Sequence, residues 1–293
     1  MEEISEKDCE ILSKKIKDNV FIPVNSQKTK IFLCGANISD KTKMRFKVAQ
    51  ELGRYWYPFD IIYPEDIFDE LLYSSKSKDL LSLEHLLAES VDAIIVIPES
   101  AGSIAELGVF SNDFDLRKKL ICLVDVKYKK DKSFINQGPI KLIKKENSNA
   151  VIFFDPMDIT SAIQDLIPLL KKLKKSSLLV SSKLSLLQLD NFLLQTIFIL
   201  EPISKNVLTS ITGFATEDKK NNFQSATTAL TILAKRRLIE LTSLGYRLTP
   251  LGINQFRNLR KTIRKKNTAN SIQIDNLRLE FFNLINRKKK LKE

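Results

Sequence analysis

The sequence predicts an α/β protein with a doubly wound, parallel five-stranded sheet, followed by a mostly helical winged helix-turn-helix domain. Three observations predict it. Five short apolar runs between Lys30 and Phe154 lack the polar alternation of half-exposed strands, so each reads as a strand buried on both faces. Stretches with helical spacing separate the runs, the pattern of a parallel sheet covered by crossover helices. Beyond about residue 180 the β-forming runs give way to amphipathic helices and one hairpin signal.

Residues 1–29 read as an N-terminal segment: a helix over Ile4–Ile16, then a connector marked by Pro23 and Asn25. The first strand, Ile31-Phe32-Leu33-Cys34, ends at Gly35-Ala36-Asn37, and a helix over about Lys43–Trp56 follows with Met44, Val48 and Leu52 on one face. The second strand, Asp60-Ile61-Ile62-Tyr63, stops at Pro64-Glu65-Asp66, with helical stretches near Ile67–Tyr73 and Leu80–Ser90 after it. Ala93–Ile97 is the third strand and its helix runs to about Phe114. Leu120–Val124 and Val151–Phe154 are the fourth and fifth, and a closing helix spans about Ile159–Leu173. Five such strands give the flavodoxin/Rossmann-like order 2-1-3-4-5. Its switch point lies between the first and third strands, where ligands bind beyond the carboxyl ends. The loops at that point are Gly35-Ala36-Asn37 and Pro98–Ser103, within a catalytic domain over residues 30–175.

Lys171–Lys183, rich in Lys and Ser, reads as the linker to a nucleic-acid-binding domain over 184–262. That domain opens with an apolar helix over Leu184–Leu200. Ser204 caps a second helix, Lys205–Ile211, ended by Gly213, and Asp218 caps a third, Asn221–Arg237. Leu238–Leu241 and Tyr246–Leu248 form a hairpin, and Thr249-Pro250 opens another helix as N-cap and first residue. Helices followed by a hairpin are the plan of a winged helix-turn-helix. Residues 270–293 form a C-terminal basic helix whose apolar face, Ile274, Leu277, Phe281, Phe282 and Ile285, needs a partner.

Composition narrows the chemistry. His85 is the single histidine among 293 residues, and no Cys-x-x-Cys pair occurs, which excludes a Ser-His-Asp triad, several-histidine metal sites and zinc sites of paired cysteines. Carboxylates remain as catalytic groups, and no metal is expected. The net charge of +12 is uneven: from Lys171 onward 24 Lys and Arg face 8 Asp and Glu, whereas the first 170 residues carry 23 and 27. That asymmetry fits a neutral or acidic domain joined to a module for a polyanion and, equally, a set of solvated lysine-rich helices. No apolar run approaches the roughly 20 residues that span a bilayer, and the acidic N-terminus is unlike a signal peptide. With three isolated cysteines, a cytoplasmic, reduced, membrane-free protein is expected.

One stretch concentrates the function: Asp92–Ile97, then Pro98-Glu99-Ser100-Ala101-Gly102-Ser103-Ile104-Ala105-Glu106-Leu107-Gly108. It reads as a buried strand, a loop of small residues, and a helix whose N-terminus favours anions. Glu106 lies about one turn inside that helix, so its carboxylate can face the loop. One carboxylate suits cleavage of an N-glycosidic bond, where it stabilises an oxocarbenium-like transition state or forms a glycosyl intermediate. The residues alone leave a rival reading open, a DNA-binding regulator that senses a nucleotide without cleaving it.

The loop resembles the Pro-Gly-Gly-x-Gly-Thr-x-x-Glu loop of phosphoribohydrolases and, more closely, the Gly-Thr-x-x-Glu-Leu-Gly segment of nucleoside 2-deoxyribosyltransferases. Glu99 and Ser100 stand in place of the glycine pair, and Ser103 in place of the threonine. The chain is also similar to retron effector proteins of the deoxyribosyltransferase-like type with a C-terminal winged-helix DNA-binding domain. That resemblance runs through Ile31–Gly35, Tyr63-Pro64-Glu65-Asp66, Pro98-Glu99-Ser100, Glu106-Leu107-Gly108, Phe110-Ser111-Asn112, Arg117–Cys122 and Ser133–Asn136. It implies an anti-phage toxin held with a retron reverse transcriptase and its msDNA/ncRNA, assembling as a homo-oligomer or filament. It implies hydrolysis of NAD at the nicotinamide–ribose bond, with NAD as substrate and no resident cofactor. Nucleotide or deoxynucleoside N-glycoside cleavage, or deoxyribosyl transfer, stays as the alternative. Carried over, Glu106 is the catalytic carboxylate, Gly35, Ser100, Gly102 and Ser103 line the ribose and phosphate, and Glu65 and Asn112 contribute further substrate contacts. In the second domain Lys235, Arg236, Arg237 and Arg247 flank the recognition helix and wing and meet nucleic-acid phosphates.

Overall fold

All five apolar runs are strands: β1 (Thr29–Cys34), β2 (Phe59–Ile62), β3 (Ala93–Val96), β4 (Leu120–Asp125) and β5 (Val151–Phe154). They form one parallel sheet in the order β2-β1-β3-β4-β5, as the sequence predicts, with Cys34 opposite Val96 at the carboxyl ends of β1 and β3. The computed structural model describes residues 4–25, 28–55, 59–63, 65, 85, 88–180, 184, 188–218, 220–261 and 269–290. Pro64, Asp66 and nearly all of the two helical stretches expected between β2 and β3 lie outside them. No helix among the described residues is long and apolar enough to cross a membrane.

The chain divides into two compact units, Lys28–Ser181 and the combination of Met1–Gln27 with Ser182–Glu293. In the first, alternation along each strand sorts side chains to two layers. Ile31, Leu33, Ile95, Ile121, Leu123 and Ile152 pack with Val48 and Leu52 of helix Met44–Arg54 and with Leu166 and Leu170 of helix Ile159–Val180. Phe32 takes the opposite direction and meets Phe110 of helix Ala101–Asn112 edge-on at 6.2 Å. Both rings are fully buried, about 1.5–3 kcal/mol of transfer free energy apiece.

The closing helix departs from expectation. It runs to Val180, through much of the stretch read as linker. Lys174 and Ser177 lie three residues apart on one helical face, and both reach Asp92, at 2.9 and 2.6 Å. A Lys/Ser composition therefore hides a helix fixed by a tertiary contact.

The second unit is mostly helical. Helix Glu6–Ile16 lays Cys9, Leu12 and Ile16 into a core shared with Phe192, Ile197, Leu208, Ile211, Phe256, Ile274, Leu277 and Phe281. Ile274, Leu277 and Phe281 of the C-terminal apolar face thus share one core with the N-terminal helix, Phe282 is exposed, and the Ile285 side chain lies outside those described. The first apolar helix spans Leu189–Leu200, shorter than the expected Leu184–Leu200. Helix Lys205–Thr216 passes through Gly213, which packs tightly against Asn222 and does not end the helix; Glu217, at φ 55°, does. Asp218 accepts from the Lys220 and Asn221 N–H groups and so closes the turn before helix Asn222–Lys235 instead of capping it. Strands β6 (Ile239–Thr242) and β7 (Gly245–Leu248) pair antiparallel, and Thr249 caps helix Pro250–Lys261 through the Gly252 N–H. Helix Ala269–Lys290 ends the described chain.

Candidate active site

Three segments meet at the carboxyl ends of β1 and β3. The first is Cys34, which strand alternation turns away from the Ile31/Leu33 layer. It is fully buried, and its thiol donates to the Glu106 carboxylate. The second is the loop after β3 and the helix it opens. Ser100 is the N-cap: its hydroxyl accepts from the Ser103 N–H at 3.2 Å and donates to the Gly35 carbonyl at 3.2 Å. The Ser103 hydroxyl accepts in return from the Ser100 N–H at 3.0 Å, completing a capping box that locks the loop. Glu106 follows Ser103 by three residues and precedes Phe110 by four, so all three share one stripe of the helix. Ser103 and Phe110 anchor that stripe in the interior, and Glu106 sits between them, half-buried.

The third segment is the start of helix Met44–Arg54. Its N-cap residue, Lys43, makes no capping bond. Glu99 does the capping from the other loop: Oε2 accepts from the Met44 N–H at 2.9 Å, and Oε1 from Arg45 at 2.9 Å and Ala36 at 3.3 Å. The next side chain, Arg45, is buried. Its guanidinium donates to the Ala36 carbonyl at 3.0 Å and forks onto both Glu65 oxygens at 2.7 and 2.8 Å, over the ring of Tyr63. Arg45 Nε finds no hydrogen-bond partner among the described residues. A Cβ on Gly35 would meet the Arg45 side chain at 2.8 Å, so this glycine is needed for the arginine to cross the loop.

Electrostatics separates the two glutamates. Burial pushes the Glu106 carboxyl above the ordinary glutamate value, and the Glu65 charge adds to the rise; the Cys34 thiol and the Arg45 charge only partly oppose it. Burial would raise Glu65 too, but the Arg45 hydrogen bonds and charge outweigh it and hold Glu65 below the ordinary value. The cluster therefore contains one carboxylate held in its charged form and one that, among the described residues, is short of stabilising partners.

The structure brings Glu106, Glu65, Ser100, Ser103 and Gly35 together. Gly102 lies exposed at the helix start, with open space where a Cβ would stand. Asn112 is the exposed last residue of the helix, six residues and about 9 Å along the axis from Glu106, and does not join the cluster. Asn136 ties a turn through the Tyr128 and Asp131 carbonyls. His85 pairs with Glu89 and Asp113. Sequence reasoning missed Arg45, Cys34 and the capping role of Glu99. One signal was present: Lys43 has no acceptor to cap the helix it precedes. In the helical unit Lys235, Arg236, Arg237 and Arg247 are all exposed around the end of helix Asn222–Lys235 and β7, and Arg236 is held by Asp190 at 3.2 Å.

A family model described as the STM3845 retron effector protein matches residues 41–241. The chain is 35% identical over 279 residues to a protein of Escherichia coli named as the ribosyltransferase/DNA-binding protein of retron Ec86, covering 89% of this chain and 87% of that one. It is 31% identical over 254 residues to the similarly named protein of retron Ec73 from the same organism, covering 78% and 79%.

Proposed function

Because the chain belongs to the STM3845 retron effector family, we propose that it is an anti-phage effector that breaks an N-glycosidic bond, hydrolysing NAD to nicotinamide and ADP-ribose. The ribosyltransferase naming of its relatives supports chemistry at an anomeric carbon. The observation that carries the reading is Glu106: a half-buried carboxylate at the sheet's switch point, raised by burial and bonded by a weak thiol donor. A carboxylate so poorly solvated gains most when positive charge develops beside it.

In this reading Glu106 faces C1′ of the nicotinamide ribose. As the C1′–N bond breaks, its electron pair passes to the pyridinium nitrogen, and nicotinamide leaves neutral, with no proton donor required. Glu106 stabilises the ribosyl cation, water adds at C1′, and the water's proton passes through Glu106 to solvent. Glu65, kept ionised by Arg45, is an acceptor for ribose hydroxyls. Ser100 and Ser103 fix the loop beside it through their capping box.

The helical unit is the winged-helix anchor in the same proposal. Helix Asn222–Lys235 presents Lys235, Arg237 follows in the turn before β6, the β6–β7 hairpin is the wing with Arg247, and together they hold msDNA in a complex with the retron reverse transcriptase. The DNA-binding naming of the relatives supports it. Nicotinamide release from NAD by the purified complex is the test, with Glu106→Gln beside it. Loss of release in the variant supports the role of Glu106, and equal release refutes it. Base release from nucleotides or deoxynucleosides without nicotinamide release from NAD moves the substrate to that class.

A further inference from the structure

Glu99 occupies an unusual place. Three backbone N–H groups converge on its carboxylate: Ala36 after β1, and Met44 and Arg45 in the first turn of helix Met44–Arg54. Such a convergence at a helix start is an anion cradle, because the N–H groups point outward and the helix dipole favours negative charge. Here a carboxylate from the loop after β3 fills it. The helix has no local alternative, since its N-cap Lys43 makes no capping bond. The cradle adjoins the cluster around Glu106: Arg45, which donates its N–H to Glu99, turns its guanidinium to the Ala36 carbonyl and to Glu65.

We propose that Glu99 is a specificity-determining residue: it fills the cradle beyond β1 and shuts out the terminal phosphate of a nucleoside 5′-monophosphate. A terminal phosphate carries about −1.5 to −2 charges at neutral pH, so it meets repulsion from Glu99 and finds the N–H groups already taken. A dinucleotide carries only phosphodiester-type charges there and can direct them elsewhere. The site therefore takes glycons whose 5′ position lacks a terminal phosphate. The inference rests on the reading of the cluster as an N-glycosidase site, but its test reads anion binding instead of turnover, so the two fail separately.

The experiment measures thermal stability of the full-length chain in inorganic phosphate against chloride at matched ionic strength, and repeats it with AMP. Wild type is expected to gain from phosphate over chloride only the general salt effect and the basic-unit binding that the variants share, so the difference between variant and wild type is the readout. Glu99→Ala empties the cradle and should bind phosphate about tenfold or more tightly than wild type does. Glu99→Gln keeps the side-chain shape and one acceptor oxygen but not the charge, and should gain a smaller response to phosphate and AMP. If Glu99→Ala folds only in phosphate, that rescue supports the proposal, and if it does not fold at all, Glu99→Gln decides. Phosphate stabilising wild type as strongly as the variants, or no gain in Glu99→Gln and Glu99→Ala alike, would overturn it.

Discussion

Asp92 and Glu106 are carboxylates at opposite ends of the same central strand region, and their surroundings differ in every respect that matters. Asp92, just ahead of β3, is buried and accepts from the Lys30 N–H at 2.8 Å, the Lys174 ammonium at 2.9 Å and the Ser177 hydroxyl at 2.6 Å. Glu106, beyond the carboxyl end, has a thiol as its bonded donor, with the nearby arginine committed to another glutamate. One end of the sheet spends its polar groups on stability. The other leaves a carboxylate that is short of partners among the described residues, where a ligand can supply the missing charge, the arrangement expected of a reacting group.

Substitutions at the two ends should separate cleanly. The largest stability effect is expected at Asp92: Asp92→Ala strands Lys174 in the interior and should cost about 3–5 kcal/mol, read by urea unfolding. Glu106→Gln should act in the opposite direction. Because folding raises the Glu106 pKa, the native state holds this proton more tightly than the unfolded chain. The residue therefore costs no stability below the ordinary value of 4.5 and costs progressively more as pH rises through the raised value. The variant should be more stable than wild type at neutral pH, with the gap closing below pH 4.5. A variant less stable at neutral pH would place Glu106 with Asp92, as a structural group.

A smaller effect sharpens the site itself. Arg45→Lys removes the fork onto Glu65 and should lower kcat/KM about tenfold, the worth of one charge-assisted hydrogen bond. Because lysine keeps the positive charge through which Arg45 opposes the rise in Glu106, the acid limb of activity should stay where it is in wild type. The smallest effect belongs to the helical unit, where Arg247→Ala should reduce the salt dependence of DNA binding by about one unit of slope and leave nicotinamide release unchanged.

The same contrast explains what could be read in advance. The sheet and its switch point were legible because strands buried on both faces must be uninterrupted apolar runs, and Glu106 because it stands in a strand-loop-helix segment with few other chemical groups in the chain. Asp92 and its partners were not. Lys174 and Ser177 lie more than 80 residues away in a Lys/Ser stretch that composition marks as linker. Arg45 was hidden for a similar reason, since nothing local distinguishes an arginine in the first turn of a helix from a solvated one, and its partners are Ala36 and Glu65. Gly213 misled because glycine usually ends helices, whereas here its missing side chain makes room for Asn222.

The central claim is that Glu106 is the desolvated carboxylate that meets the ribosyl cation. The pH dependence of nicotinamide release by the intact retron complex tests it most directly, measured for wild type and Glu106→Gln together. Wild type should lose activity as pH falls, with a midpoint above 4.5, and the variant should retain about a thousandth of the neutral-pH rate or less, with that limb gone. Wild-type turnover by Glu106→Gln, or an acid limb that survives the substitution unchanged, would contradict it.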